Sequence, residues 1–410
     1  MLEDQRTTAQ QHFQYLYAQC SDEQKNVFET IMNTPFKLFR VLGSAGTGFR
    51  DHDCYTCPTG IAAYTVGGQT IHRFFGLANT NQVSNCVRLT DFFKRHPKMA
   101  LLIDEFSMIS AQLLQTMSTQ LSIVTDCNRP FGNLLTIFFG DIGQLPPIDH
   151  ATAGHCFMSP LWNAFCYFYL KKQQRQSGVD QQMFTNVLAQ IRMNNYPHYV
   201  RDFINERKRL DEDIPFHALR LFTTRNKVDQ YNKHKIRLAS GRLFTFPSTD
   251  VGSEPALKDT ALPSVLHVKI GAPVLLLDNL DVSNGWTNGT QCIIEDVDDD
   301  IIYIKRVTDS VIRGIKPITR EVYKTNYYRK QYPIVLAFAS TIHKVQSLTV
   351  EAVAVSLLEP FLSHGELYVA CSRVKSADNL FFLGTHQINL QVGFDTAVLD
   401  ALDDSDDLFK

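Results

Sequence analysis

Long hydrophobic runs are missing from this 410-residue chain. No stretch approaches the ~18 consecutive apolar residues of a membrane helix, so no membrane span is expected. Residues Met1 to Gln19 are polar and glutamine-rich and lack the apolar core of a secretory signal. Strong charge of one sign is missing too. The formal net charge is −2, so any nucleic-acid site must be a local basic groove and not a global field. Nine cysteines are scattered without a repeating pattern, and Cys54-x-x-Cys57 has no second pair at zinc spacing. They read as reduced thiols of an intracellular protein, nuclear or cytoplasmic, with no zinc site. What is present, 44% hydrophobic and 20% charged residues, suits ordinary globular cores, and the length suggests two to three domains.

Apolar runs that end in polar loops organise the first part of the chain. Ser21 to Met32 reads as a helix, with Asp22 and Glu23 near its start and Val27, Phe28 and Ile31 on one face. Phe36–Leu42, Cys54–Cys57, Ala100–Ile103 and Leu134–Phe139 read as strands, each followed by glycine, proline or carboxylate residues. That repetition is the pattern of a parallel α/β sheet with its site on one edge. A second α/β pattern begins near Tyr169 and includes a strand over Leu219–Phe222 that ends at Thr223, Thr224 and Arg225. Residues 265 to 332 differ: short strands, Asn284-Gly285 and Asn288-Gly289 turns, and Asp298 to Asp300 mark a small β-rich insertion. The expected division is 1–168, then 169–264 and 333–395 around the insertion 265–332, then 396–410. That end segment, with five aspartates between Asp400 and Asp407, reads as a solvated or disordered tail.

The loop after the first strand reads Gly43-Ser44-Ala45-Gly46-Thr47-Gly48-Phe49-Arg50. A phosphate-binding loop has the form G-x-x-x-x-G-K-[ST]; its backbone cradles phosphates, its lysine reaches the β/γ-phosphates and its hydroxyl holds Mg²⁺. The glycine frame is here, but Phe49 stands at the lysine position and Arg50 at the hydroxyl position.

Further along, the apolar run Leu101-Leu102-Ile103 ends in Asp104-Glu105. In nucleotide hydrolysis the first carboxylate holds Mg²⁺ and the second orients or deprotonates water. Gly140-Asp141-Ile142-Gly143-Gln144-Leu145-Pro146-Pro147 offers a glutamine suited to sense a γ-phosphate. Arg175 and Arg373 are candidates for phosphate charge in a transition state, because guanidinium is planar and forked. Hydroxyl, imidazole and aromatic groups cluster at Thr59, at His72 with Phe74 and Phe75, and at Thr341–Thr349 with His343 and Lys344. Such groups hold a nucleic-acid backbone and stack on bases, although at least one of Phe74 and Phe75 is expected in the core.

Taken together, these pieces resemble superfamily-one DNA helicases of the petite-integration-frequency and RecD type, including the helicase part of Helitron transposons. The matching segments, in order, are Gln24, Gly43–Gly48, Pro58–Ala63, Thr70–His72, Asp104-Glu105, Gly140–Pro147, Arg175-Gln176, Asn288–Thr290, Thr341–Thr349 and Tyr368–Arg373. They span roughly residues 20 to 385. The resemblance implies an α/β fold of two RecA-like parallel-sheet domains with an SH3-like accessory insertion in the second. It implies ATP between the domains and single-stranded DNA, or single/double-strand junctions, across their top. It implies Mg-ATP-driven 5′-to-3′ translocation, in DNA repair, recombination or replication; a monomer is expected. By position, Gln24 would contact adenine, Asp104 would serve Mg²⁺, Glu105 water, and Gln144 the γ-phosphate. Arg175 and Arg373 would be arginine fingers, and Thr59, His72, His343 and Lys344 would touch DNA.

Departures from that pattern concentrate in one place. Only five residues separate Gly48 from Cys54, whereas a parallel crossover takes a dozen or more and usually a helix. The helix that follows a phosphate loop therefore has no room, and the pattern is that of a lost segment, not drift of two side chains. A milder departure is His343-Lys344-Val345-Gln346-Ser347, where the family has His-Lys-Ser-Gln-Gly. Two readings stay open: an ATP-dependent DNA helicase, and a catalytically inactive relative that binds DNA or a partner.

Overall fold

Ser21 starts the first helix, α1 (Asp22–Asn33). Its hydroxyl accepts from the Gln24 amide, while Gln24 Oε1 accepts from the Ser21 N–H, a reciprocal capping box. In the computed structural model the described residues are 17–18, 20–43, 54–58, 69–77, 87–95, 100–171, 175–176, 181–257, 260–281, 284, 286, 288–321, 326–361, 363–384 and 392–407. They form two compact units. The first runs to Asp141 and resumes at Pro147; the second takes Ile142–Pro146 and everything from Arg175 onward.

Six strands build the first unit: β1 (Leu38–Gly43), β2 (Cys54–Cys57), β3 (Gln69–Thr70), β4 (Leu101–Ile103), β5 (Thr136–Gly140) and β6 (Cys166–Leu170). They lie in the order β3-β2-β4-β5-β1-β6, and every pairing is parallel. The inner strand β4 and most of β5 and β1 are buried, and these three read as near-continuous apolar runs. Val27 and Ile31 of α1 pack on Phe39, Val41, Leu102 and Ile137, and helix α2 (Ala111–Thr125) buries Leu113, Leu114, Met117 and Leu121. A boundary at residue 168 does not hold: Cys166–Leu170 pairs with β1 along Phe39–Gly43. Alternating polar residues would have marked an edge strand, but Cys166–Leu170 has none and its partner is far away in sequence.

Strands β1 and β2 are three positions apart, about 14 Å across the sheet. Because both run the same way, the chain must also travel back the length of a strand between them. Ten residues make that link. A helix of ten residues rises only about 15 Å and leaves none for the turns at its ends. The expected loss of a crossover helix concerns residues 44–53, which lie outside the described residues, and so does the loop Ser44–Gly48.

The second unit has its own parallel sheet: β7 (Lys208–Arg209), β8 (Leu219–Phe222), β9 (Ala339–Thr341), β10 (Val353–Ser356) and β11 (Leu380–Leu383), in the order β9-β8-β10-β11-β7. Helices α3 (Gln182–Arg192), α4 (Arg225–Leu238) and α5 (Glu366–Cys371) accompany it. Arg220 ties β8 to the preceding loop. Its guanidinium donates to Asp211 Oδ1 at 3.0 Å and to the carbonyls of Ile214, Pro215 and Ala218, and Lys235 also pairs with Asp211.

Between α4 and β9 the chain is mostly antiparallel strands. Five of them (Pro273–Leu276, Gln291–Asp298, Ile301–Arg306, Ile312–Ile315 and Ile334–Leu336) form one sheet around Trp286, whose ring lies under the guanidinium groups of Arg306 and Arg313. The insertion begins earlier than expected, at Phe244–Pro247, and not at residue 265. That strand leaves two of its four side chains exposed, so it carries little apolar signal.

The acidic end is not a disordered tail. Helix α6 (Thr396–Asp407) forms there, with Val398 and Leu402 buried. Those two residues are four apart and share one helix face, which outweighs the aspartates on the others. The preceding segment is pinned by the Gly393 N–H, which donates to Phe361 O at 2.6 Å. Among the described residues, no helix is long and apolar enough to cross a membrane.

Candidate functional site

In the first unit, the ends of β2, β4 and β5 bring the carboxylates into place. The Asp104 N–H donates to Thr56 O on β2 at 3.0 Å, and the Glu105 N–H donates to Asp104 Oδ1 at 2.8 Å. Glu105 is buried, and its backbone is left-handed at φ 56°, ψ 44°. A residue with a Cβ held there costs about 1–2 kcal/mol, and such strain gathers at functional sites. Gly140 lets β5 approach: a Cβ on it would lie 2.8 Å from the Phe106 ring. Beneath the pair sits Cys57, whose thiol is pushed well up by burial and by the charges of Asp104 and Glu105. It is therefore a protonated wall of the site and not a nucleophile.

Gln24 has a local task in this unit, since its side-chain oxygen completes the cap of α1. The Ser21-x-x-Gln24 spacing is the sequence signature of that cap. His72 is half-buried in the short helix Ile71–Phe75 that follows β3. Phe75 is core, at 3% exposed, and Phe74 stands edge-on to Phe75, Phe92 and Phe93. Phe74 is thus part of an aromatic cluster instead of an isolated stacking platform. Thr59 lies outside the described residues.

The glutamine loop, Ile142–Pro146, belongs to the second unit. It is seated by two close approaches: a Cβ on Gly143 would meet the Arg192 side chain at 2.7 Å, and one on Gly365 would meet the carbonyl oxygens of Gly143 and Gln144 at 2.6 Å. Gly365 has φ +79°, a conformation glycine adopts without strain. Gln144 is buried, and its Oε1 has no hydrogen-bond partner among the described residues. A buried amide oxygen left without a partner is costly, and where it persists a functional role is a standard cause.

The two arginines come together, but as ties. Arg175 donates from Nε to Thr349 Oγ1 at 3.1 Å and from Nη1 to Ser372 O at 3.0 Å. Its neighbour Gln176 bonds Ser372 O and Val374 O. Arg373 is 1% exposed. It donates from Nε to Val369 O at 2.7 Å, from Nη1 to Val345 O and Leu348 O at 3.4 Å, and from Nη2 to Ser372 Oγ at 2.7 Å. Its guanidinium thus bonds carbonyl oxygens of α5 and of the loop after β9 and the Ser372 hydroxyl. Burial, which a linear motif does not report, gives Arg373 a structural tie beside the role its motif position implies.

His343 and Lys344 lie in the short 3-10 turn Ile342–Val345 that follows β9. Burial and then the charge of Arg225 lower the His343 imidazole. The same two causes, partly offset by Asp229, lower the Lys344 ammonium, although its side chain is exposed and solvent screens the effect. Cationic groups are therefore crowded at this edge.

For a magnesium nucleotide the donor set is split. Asp104 and Glu105 supply the oxygen chemistry a hard cation takes. Phe49 and Arg50 supply neither the ammonium nor the hydroxyl that a phosphate loop needs. Asp104 and Glu105 therefore fit the metal and water half of a Mg-nucleotide site, while Phe49 and Arg50 lack the groups of the phosphate half.

Comparison with known proteins matches this arrangement. The PIF1-like helicase family profile matches residues 51–201, starting immediately after Arg50, and the Pif1 2B-domain profile matches residues 256–296. An ATP-dependent DNA helicase Pif1 of Bdellovibrio bacteriovorus is 30% identical over 345 residues, 80% of this chain and 76% of that protein. ATP-dependent DNA helicase PIF1 of Danio rerio is 29% identical over 391 residues, 88% of this chain, and the chain spans 60% of its length. The crystal structure of Pif1 helicase from Candida albicans superposes with a TM-score of 0.75 at 28% identity, covering 94% of this chain and 99% of that one. A Bacteroides Pif1 bound to ssDNA has the same fold, with a TM-score of 0.70 at 23% identity over 95% of this chain and 97% of its own. Two RecA-like sheets, a β-rich insertion, the carboxylate pair, the seated glutamine loop and a 30% identical relative all agree: this chain belongs to the Pif1-like family of ATP-dependent DNA helicases.

Proposed function

We propose that this chain binds single-stranded DNA as its family does, and that its ATP turnover is lost or severely impaired. One observation carries the second half. Phe49 and Arg50 stand where the phosphate loop needs lysine and a hydroxyl, and ten residues link strands three positions apart. A lysine ammonium at the β/γ-phosphates is a point charge that phenylalanine cannot replace. Support for DNA binding comes from the cationic edge at Arg225, His343 and Lys344, and from the ssDNA complex of the Bacteroides relative. The setting proposed is DNA repair or recombination.

A working 5′-to-3′ helicase is the second reading. It is favoured by Glu105, Gln144, Arg175 and Arg373, all retained in position. ATP hydrolysis with and without single-stranded DNA separates the two, with Glu105→Gln as the control for contaminating activity. We expect turnover indistinguishable from the control, together with retained oligo-dT binding. DNA-stimulated turnover that Glu105→Gln abolishes would establish the helicase instead.

A further inference from the structure

Three parallel strands of the second unit end side by side on one edge of its sheet. From β9 the chain enters His343 and Lys344, from β8 it enters Thr223, Thr224 and Arg225, and from β10 it reaches Glu359. Thr224, Arg225 and Lys227 are exposed. Glu359 turns back onto this edge. Thr223 Oγ1 donates to its Oε2 at 3.1 Å, and Lys227 Nζ lies 3.3 Å from its Oε1. The Glu359 side chain is 19% exposed, while that of Lys227 is 53% exposed.

Each carboxylate oxygen is thus held by one donor, a hydroxyl on one side and an ammonium on the other. The two non-bridging oxygens of a phosphodiester ask for the same pair. The contact is a poor candidate for fold stability, because an ion pair with one exposed partner contributes only about 0–1 kcal/mol. Its surroundings are cationic. Burial first and Arg225 second disfavour the charged forms of both His343 and Lys344, with Asp229 partly offsetting this at Lys344, so a further anion would relieve the edge.

We infer that the notch formed by Thr223 and Lys227 is a phosphodiester-binding site for single-stranded DNA, and that Glu359 occupies it in the free chain as an internal counter-anion. The inference rests on the reading that the His343–Lys344 edge takes single-stranded DNA. A phosphate entering the notch displaces Glu359. The carboxylate therefore weakens binding, and Lys227 counts for less than one full charge in the salt dependence.

Titration of a labelled oligo-dT against the full chain at several salt concentrations tests this. Glu359→Gln, an isosteric change, is expected to bind about threefold to tenfold tighter at low salt, with a log–log salt slope steeper by about 0.7. Lys227→Ala is expected to weaken binding about threefold and to make the slope shallower. In the double variant the gain from Glu359→Gln should vanish, because the ammonium it released is gone. Equal thermal melting of the variants confirms that folding is unchanged. Binding that requires Lys344 but ignores both Glu359→Gln and Lys227→Ala would overturn this site alone. A gain from Glu359→Gln that persists without Lys227 would overturn it as well, since general charge removal would explain it. Absence of oligo-dT binding by wild type and Glu359→Gln alike would overturn both this site and the proposed DNA binding.

Discussion

In the first unit, β1 and β2 are joined by ten residues across three strand positions; in the second, β8 and β9 are neighbours joined through the whole antiparallel insertion. The two sheets are nevertheless built alike. Strand β1 is held by β5 on one side and β6 on the other, five pairings each, and none of these uses the link to β2. A parallel sheet of this kind can form around a ten-residue link because its ladder and its buried side chains come from elsewhere in the chain. The phosphate loop has no such reserve, since its chemistry sits on the link itself. In the second unit the strand-end groups are instead tied to one another: Arg175, Gln176 and Arg373 share Ser372, and Gly365 seats the Gln144 loop. An intact fold therefore does not by itself speak for the chemistry of the phosphate loop.

The sharpest way to break this comparison is to repair only the side chains. Phe49→Lys with Arg50→Ser should leave ATP turnover at the level of Glu105→Gln, orders of magnitude below the ~10 s⁻¹ of a typical enzyme, because the link stays short. Robust DNA-stimulated hydrolysis by that double variant would show that length is not the defect.

A second test addresses the intact side. Arg373→Met removes the donors that serve Val345, Leu348 and Val369 carbonyls in a buried setting. It should cost the second unit about 3 kcal/mol in denaturant unfolding, the scale of leaving buried acceptors without partners. A loss under about 1 kcal/mol would mean that the arginine is not a structural tie.

Gly365→Ala is expected to cost somewhat less, about 2 kcal/mol, through its positive φ and the clash with the Gly143 and Gln144 carbonyls. Its unfolding midpoint measures this directly. An unchanged midpoint would show that the glutamine loop is not seated against it.

The smallest effect concerns pH. His343 is less basic in the folded chain than its ordinary value of 6.5, through burial and then Arg225. The unfolded chain thus binds more protons near and below that pH, so folding stability falls as pH drops through that window. A phosphate beside the ring acts in the opposite sense and favours the charged imidazole. Oligo-dT affinity should therefore rise a few-fold from about pH 7.5 to about pH 5.5, and His343→Gln should flatten the profile. A profile equally steep in that variant would remove His343 from the DNA edge.

Much of this architecture is legible along the chain. The apolar runs before Asp104, Gly140 and Thr223 are buried parallel strands, and their spacing places polar groups at one sheet edge. Other features follow from local pattern and need only the right template, such as the Ser21-x-x-Gln24 cap and the Val398/Leu402 face of α6. The strand Cys166–Leu170 is harder, because its partner β1 lies far away in sequence and no local signal names it.

The sequence by itself determined the family, the strand-end residues and the departure at Phe49 and Arg50 from the phosphate-loop pattern, because these depend on residue type and spacing alone. Tertiary structure decided what those residues do. It buried Arg373 among carbonyl oxygens, set Gly365 against the Gln144 loop, and brought Glu359 onto Thr223 and Lys227, more than a hundred residues away in the chain. Burial and long-range pairing are properties of three dimensions, and a motif carries no record of them.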